Sequence, residues 1–238
     1  MTIKVSVVGA SGRMGKLALE LIDAAQDMSL HSALDSKSDL TETEGADVIF
    51  DVTRLDVSAQ VIDQALNSDI AVVVGTSGWS ASKLEQLSPK VAGAAGTVVV
   101  IPNFSVGSML ATRFAAEAAK HFASIEIVEA HHANKVDSPS GTAIRTAELI
   151  AKSRDNQPLI VGADQEARGQ IVSGVPIHSL RLSGVSAKQD VLLGGDSELL
   201  TISHETSSVY AYSAGILASI RFAAANKGLF VGLETVLA

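Results

Sequence analysis

The chain has 238 residues, 47% of them hydrophobic, 18% charged and 4% aromatic, with no cysteine and a formal charge of −8. This allows a sizeable core in one large domain or two small ones, and it excludes disulfides and thiolate chemistry. Acidic balance without a basic run argues against wholesale nucleic-acid binding. No apolar run reaches the roughly 18 residues of a membrane helix, and residues 1–8 lack a secretory pattern, so a cytoplasmic protein is expected.

Ile3–Val8 reads as a strand and runs into Gly9-Ala10-Ser11-Gly12-Arg13-Met14-Gly15. Leu17, Leu21 and Ala25 follow at helical spacing. Met28–Leu34 is a second strand, and Asp35 after it lies 20 residues beyond Gly15, where the acidic partner of a dinucleotide ribose belongs. Strand, glycine turn, helix, strand and acid form the first unit of a doubly wound fold. Gly9, Gly12 and Gly15 spell G-x-x-G-x-x-G rather than G-x-G-x-x-G. Both versions bring backbone close to a pyrophosphate at a helix N-terminus. An ATP-type phosphate loop fails, because it needs Gly at Ala10 and Ser or Thr at Leu17. Asp35 favours NAD by binding ribose hydroxyls, but Lys37 could balance a 2′-phosphate. The choice between NADH and NADPH stays open.

Strands follow at 48–52, 70–74 and 97–101, with helices at 57–66 and after Ser80, which is placed to cap the second. Five strands and their helices within about 100 residues indicate a parallel sheet. Ligands in such folds sit beyond the carboxyl ends of the strands. Thr53-Arg54, Gly75-Thr76-Ser77 and Pro102-Asn103-Phe104 fall there and are candidate cofactor contacts.

After Phe104 the pattern changes. A helix is expected at 108–121, a strand at 125–128, and a helix from Ala143 to Ser153. An irregular region at 154–174 leads to strands at 177–182, 191–193 and 199–204, with no helices between them. That is an α+β arrangement with a mostly antiparallel sheet. A last helix, Ser213–Ala225, is expected to pack back on the first domain. The expected domains are residues 1–103 completed by 209–238, and residues 104–208.

Residues 129–142 read EAHHANKVDSPSGT. His131 and His132 leave the end of a strand, and Ser140-Gly141-Thr142 opens a helix. Histidine titrates near neutrality. A helix N-terminus offers unpaired N–H groups and partial positive charge, which suits a carboxylate. Lys135 adds a full charge, so proton-handling groups stand beside an anion cradle. Neighbours on a strand face opposite ways, so His132 could instead orient or pack beside His131. No metal is expected, because the spacing of His131, His132 and Asp137 suits no helical or hairpin ligand pair.

These residues carry a resemblance. The glycine turn, Gly75-Thr76-Ser77-Gly78, Pro102-Asn103-Phe104-Ser105, and above all His-His-x-x-Lys with Pro-Ser-Gly-Thr, resemble the 4-hydroxy-tetrahydrodipicolinate reductase (dihydrodipicolinate reductase) family. Residues 174–181 and 194–204 resemble further family segments, so the likeness runs nearly the whole chain. It implies an α/β protein, with an N-terminal Rossmann-like domain and an inserted substrate domain whose sheet assembles a homotetramer. It implies hydride transfer from NADH or NADPH to a cyclic dicarboxylic imine with loss of water, in diaminopimelate and lysine biosynthesis. His131 would then be a proton donor and acceptor, and Lys135 a second proton donor. His132 would bind substrate, and Gly141 and Thr142 would hold a carboxylate. Gly9, Ala10, Ser11, Gly12, Arg13, Met14, Asp35, Gly75, Thr76, Ser77, Ile101, Pro102, Asn103 and Phe104 would contact the cofactor.

The likeness has departures. Ser208-Val209 stands where the family carries an arginine, and Ala187-Lys188-Gln189-Asp190 replaces a more usual His-Gln-Glu. Two other readings use the same residues: an aspartate-type amino-dicarboxylate dehydrogenase, and a nucleotide-binding regulator without turnover. His-His-x-x-Lys with Pro-Ser-Gly-Thr speaks against the first, and intact His131 and Lys135 against the second.

Overall fold

The computed structural model describes residues 2–155, 157–163 and 165–238. They form two compact units, Met1–Val106 with Val209–Ala238, and Gly107–Ser208.

The first unit is built on a six-stranded parallel sheet of β1 (Ile3–Val8), β2 (Met28–Leu34), β3 (Val48–Asp51), β4 (Ala71–Val74), β5 (Thr97–Val100) and β11 (Gly228–Val231). Its order is β11-β5-β4-β3-β1-β2. Val48, Ile49 and Phe50 of β3, and Val72, Val73 and Val74 of β4, have no exposed surface. Covered on both faces, these strands read as unbroken apolar runs instead of alternating. The helices are α1 (Arg13–Ala24), α2 (Leu55–Asn67), α3 (Ala81–Ala94), α6 (Ser213–Ala225) and the short α7 (Leu233–Val236). Successive strands depart in opposite directions from β1 and β3, which makes the crevice past their carboxyl ends the ligand position of such sheets.

The second unit holds a five-stranded sheet of β6 (Ser124–His132), β7 (Gln170–Val172), β8 (Val175–Leu182), β9 (Ala187–Gly195) and β10 (Glu198–Thr206). The order is β10-β9-β6-β8-β7, and only the β6–β8 pairing is parallel. The helix α5 (Gly141–Ser153) makes the crossover between those two strands. Its residues Ala143, Thr146, Ala147 and Ile150 are buried at helical spacing. Ala143, Ala147 and Ile150 pack on Ile125, Ile127, Ile177, Val191 and Leu193, together with Ala115 of α4 (Val106–Ala118) and Ala119 just beyond it. Burying Ile150 alone contributes about 1.5–3 kcal/mol.

Several sequence expectations are corrected. The strand expected at 125–128 continues through His132, because His131 and His132 pair with Arg181 and Leu182. Two histidines carry no strand preference, so only tertiary pairing extends β6. Ser80 holds the N-cap position of α3 without capping it; its hydroxyl meets that of Ser82. The sheet of the first unit has a sixth strand, β11, too short and too weakly patterned to read in advance. The stretch expected as irregular at 154–174 contains β7 and a 3-10 turn, Glu166–Arg168; Asn156 and Asp164 of that stretch lie outside the described residues, as does Met1 of 1–8. Among the described residues, no helix is long and apolar enough to cross a membrane.

Candidate active site

In the first unit the glycine turn follows β1. Gly9 has φ +91°, and a Cβ there would come within 2.7 Å of the Val52 carbonyl oxygen. A Cβ on Gly15 would meet the Gly9 oxygen at 2.2 Å, so α1 can lie this close to the turn only without a side chain there. Gly12 stands at the N-cap of α1, with no side-chain cap and no acid in the first turn. The backbone of Ala10, Ser11, Gly12, Arg13 and Met14 thus surrounds a helix start suited to an anion. The Leu34 carbonyl accepts the Gly9 and Ala10 N–H groups, both at 3.0 Å, which fixes the exposed Asp35 beside the turn. Asp35 Oδ1 accepts the Lys37 N–H at 2.8 Å.

The other strand ends of this unit are tied through Asp51, a fully buried carboxyl that sequence reasoning passed over. It accepts from the Thr53 N–H at 3.0 Å, the Thr53 hydroxyl at 2.6 Å and the Thr76 hydroxyl at 3.3 Å. Its backbone oxygen takes the Gly75 N–H at 2.8 Å. Burial pushes the Asp51 carboxyl up, against the lowering pull of hydrogen bonds from Ser58, Thr53 and Thr76. Thr76 is buried while Ser77 is exposed. Ile101 is buried and donates its N–H to Val74; Pro102 is exposed; Asn103 Oδ1 caps the Ser105 N–H at 2.9 Å. The Phe104 ring lies 5.5 Å from that of Phe50, and a Cβ on Gly75 would come within 2.6 Å of it. An acid ending the apolar run Val48-Ile49-Phe50 was the available clue to Asp51.

In the second unit, Glu129 and His131 share one face of β6 at the strand period of two. Glu129 is fully buried. Its Oε2 lies 2.5 Å from His131 Nδ1, and its two oxygens take the Arg181 guanidinium at 3.0 Å each. Its Oε1 also accepts the Ser140 N–H at 3.3 Å. A carboxylate only accepts, so Nδ1 carries the hydrogen and Nε2 holds the lone pair. Burial pushes the Glu129 carboxyl up, but donors from Arg181, Ser179 and His131 outweigh this and hold it below the ordinary value. Burial holds the His131 imidazole below its ordinary value; Glu129 pulls it back up, and Lys135 and Arg181 push it down. On balance this favours the neutral form of the ring.

The Lys135 N–H returns to the His132 carbonyl at 3.0 Å, a turn that brings the lysine back towards the strand end. Lys135 Nζ pairs with Asp137 Oδ1 at 2.7 Å, and that pairing holds the Asp137 carboxyl low. Arg181 also donates to the Asp137 carbonyl at 2.6 Å. Ser140, after a cis Ser138–Pro139 bond, caps α5 by accepting the Ala143 N–H at 3.2 Å. Gly141 is exposed, and a Cβ there would meet nothing within 4 Å. Thr142 receives the Thr146 hydroxyl at its carbonyl at 2.9 Å. Strand alternation turns His132 to the other face of the sheet from Glu129 and His131. Glu129 and Arg181 are the members of this cluster that carried no sequence-based role. The i, i+2 relation of Glu129 to His131 was the signal that could have found the first.

Matching of family models assigns residues 3–104 to "Dihydrodipicolinate reductase, N-terminus" and residues 107–237 to "Dihydrodipicolinate reductase, C-terminus". A 4-hydroxy-tetrahydrodipicolinate reductase of Clavibacter sepedonicus is 49% identical over 240 residues, covering 100% of this chain and 87% of that one. One from Streptomyces griseus subsp. griseus is 42% identical, covering 99% and 98%. Among solved structures, dipicolinate-bound dihydrodipicolinate reductase from Paenisporosarcina sp. TG-14 matches with a TM-score of 0.85 at 31% identity, covering 99% of each chain. With both halves matched in order and relatives aligned from end to end, the chain belongs to the dihydrodipicolinate reductase family.

Proposed function

We propose that this protein reduces 4-hydroxy-tetrahydrodipicolinate to tetrahydrodipicolinate with NADH or NADPH, releasing water, in diaminopimelate and lysine biosynthesis. The observation that carries this reading is the convergence at one end of the second sheet. There, a carboxylate-held imidazole, a lysine and a capped helix start meet in a chain that its family matches along both halves.

The first unit is the proposed dinucleotide-binding domain. Its residues fit the group: the turn at Gly9 and Gly15 has no room for side chains, and the α1 start lacks a cap and an acid. Gly9, Ala10, Ser11, Gly12, Arg13 and Met14 would hold the pyrophosphate, and Asp35 the adenosine ribose. Gly75, Thr76, Ser77, Ile101, Pro102, Asn103 and Phe104 would line the nicotinamide end. When bound, the reduced nicotinamide supplies a hydride. Asp35 supports NADH as the better donor, because its carboxylate opposes a 2′-phosphate.

The second unit is the proposed substrate domain. Net chemistry adds one hydride and one proton to the hydroxylated ring and releases one water. His131 presents Nε2 as the proton-exchanging atom, since Nδ1 is committed to Glu129. Lys135 can leave Asp137, pair with a substrate carboxylate, and serve as a second donor. Gly141 and Thr142 offer backbone N–H groups to the other carboxylate. His132, facing the other way, would contribute by orienting the strand end.

A homotetramer is the proposed assembly. Both helices of the second unit lie on one face of its sheet, and Leu180, Leu182 and Leu199 stand exposed on the opposite face, which supports self-association there. The proposed compartment is the cytoplasm, as for other steps of amino-acid biosynthesis. A coupled assay tests the activity. Aspartate semialdehyde and pyruvate are condensed by the preceding synthase, and the absorbance of the reduced nicotinamide cofactor is followed. Loss of absorbance only when all components are present is expected; none at any enzyme concentration would refute the reading.

A further inference from the structure

The cluster around His131 in the second unit is electrically balanced, and a doubly negative ligand would upset that balance. Glu129 is matched by Arg181 at 3.0 Å, Lys135 is matched by Asp137 at 2.7 Å, and burial biases the imidazole between them towards its neutral form. Nothing in that sum attracts two carboxylates. The two ion pairs differ in freedom. Glu129 is fully buried and accepts from His131, Arg181 and the Ser140 N–H, so it cannot turn away. The Asp137 side chain is 60% exposed and can swing into water, leaving the Lys135 charge to a ligand.

We propose that Glu129, clamped by Arg181, is a positioning residue that holds His131 with Nε2 outward and stabilises the imidazolium formed when a dicarboxylate enters, so that ligand binding draws one proton from solution. This rests on the dicarboxylate reading above and deepens it. Two charges then face the dianion, one on Lys135 and one on His131. The proton adds to Nε2, while the Nδ1 hydrogen keeps its bond to a carboxylate that is already ionised. Charged groups near the ring come from three sides: Glu129 on β6, Arg181 on β8, and Lys135 with Asp137 on the loop. On β9 its register partner is the uncharged Ala187, and the first turn of α5 has no acid, with Arg145 opening the second turn. The same Glu129 carboxylate holds the Ser140 N–H at the cradle's cap, so proton site and carboxylate site are aligned by one group.

The test is calorimetric titration of pyridine-2,6-dicarboxylate into the full chain, with NADH saturating, at pH 7 in buffers of different ionisation enthalpy. The slope of heat against buffer enthalpy gives protons taken up per chain. An uptake well above zero and approaching one is expected, with affinity weakening as pH rises. Binding with no buffer dependence would overturn the proposal and leave the reductase reading standing. Absence of binding in every buffer would overturn both. Glu129→Gln is expected to abolish the uptake, and each pKa unit lost at His131 weakens binding about tenfold above it. Because Gln leaves Arg181 without its counter-charge, the double variant Glu129→Gln/Arg181→Met removes both charges together. Wild-type proton uptake in a folded double variant would mean that Glu129 only supports the fold, and would overturn the positioning role.

Discussion

His131 Nδ1 and Glu129 Oε2 stand 2.5 Å apart at one end of a strand, and the carboxylate that holds the ring is itself completely buried. That contact fixes which imidazole nitrogen is available for chemistry. His131→Ala and Lys135→Ala are each expected to lower kcat by on the order of 10²–10⁴-fold, the range for a positioned proton donor. Steady-state assays at saturating cofactor check this, and near-wild-type turnover in either variant removes that residue from the mechanism.

Acid should weaken the fold through the same pair. The Glu129 carboxyl is held below its ordinary 4.5, so its contribution is present above that value and is lost as pH falls through the lowered one. The His131 ring is held below its ordinary 6.5, and its contribution is likewise present above 6.5 and lost on acidification. The urea midpoint should therefore fall from pH 7 to pH 5.5, the window below 6.5 in which the imidazole contributes, and should fall less in His131→Asn. An unchanged slope in that variant would contradict the assignment.

Two glycine substitutions should behave oppositely. Gly15→Ala forces a Cβ to 2.2 Å from the Gly9 oxygen, and destabilisation by about 1–3 kcal/mol or more is expected, with loss of cofactor binding. Gly141→Ala meets nothing within 4 Å, so the melting temperature should hold, and a gain of helix propensity could even raise it. Its cost should be confined to dicarboxylate affinity, because the methyl would enter the space proposed for a carboxylate. Thermal melts and ligand titrations on both variants separate the two cases.

Asp35→Ala should move cofactor preference towards NADPH. The exposed carboxylate sits beside the turn whose N–H groups bind Leu34, and in the proposed cofactor site its charge would oppose a 2′-phosphate while Lys37 remains. Fluorescence titration of both reduced cofactors measures the affinity ratio. An unchanged ratio would mean that Asp35 does not set the preference.

Much of this was legible because local chemistry and tertiary structure agree. The apolar runs at Val48–Asp51 and Ala71–Val74 have the residue pattern that two covered faces demand, and the glycine spacing fits the crowding at Gly9 and Gly15. Ser140-Gly141-Thr142 opened a helix as its residues suggested. The rest depended on contacts distant in sequence. β6 reaches His132 only because β8 pairs with it, and Arg181 reaches Glu129 across 52 positions. The hydroxyl of Ser80 found Ser82 in place of a helix N–H, a choice between two short-range partners that composition does not rank. Asp51 was hidden because an acid at a strand end reads as a turn residue until Thr53 and Thr76 are seen to converge on it.

The most direct test of the account follows the hydride itself. NADH carrying deuterium at the transferred position is mixed with the enzymatically generated hydroxylated heterocycle, and the product is read by mass spectrometry. One deuterium in tetrahydrodipicolinate is expected from the wild-type protein, with formation slowed together in His131→Ala and Lys135→Ala. Product without deuterium, or oxidation of NADH with no change in the heterocycle, would contradict it.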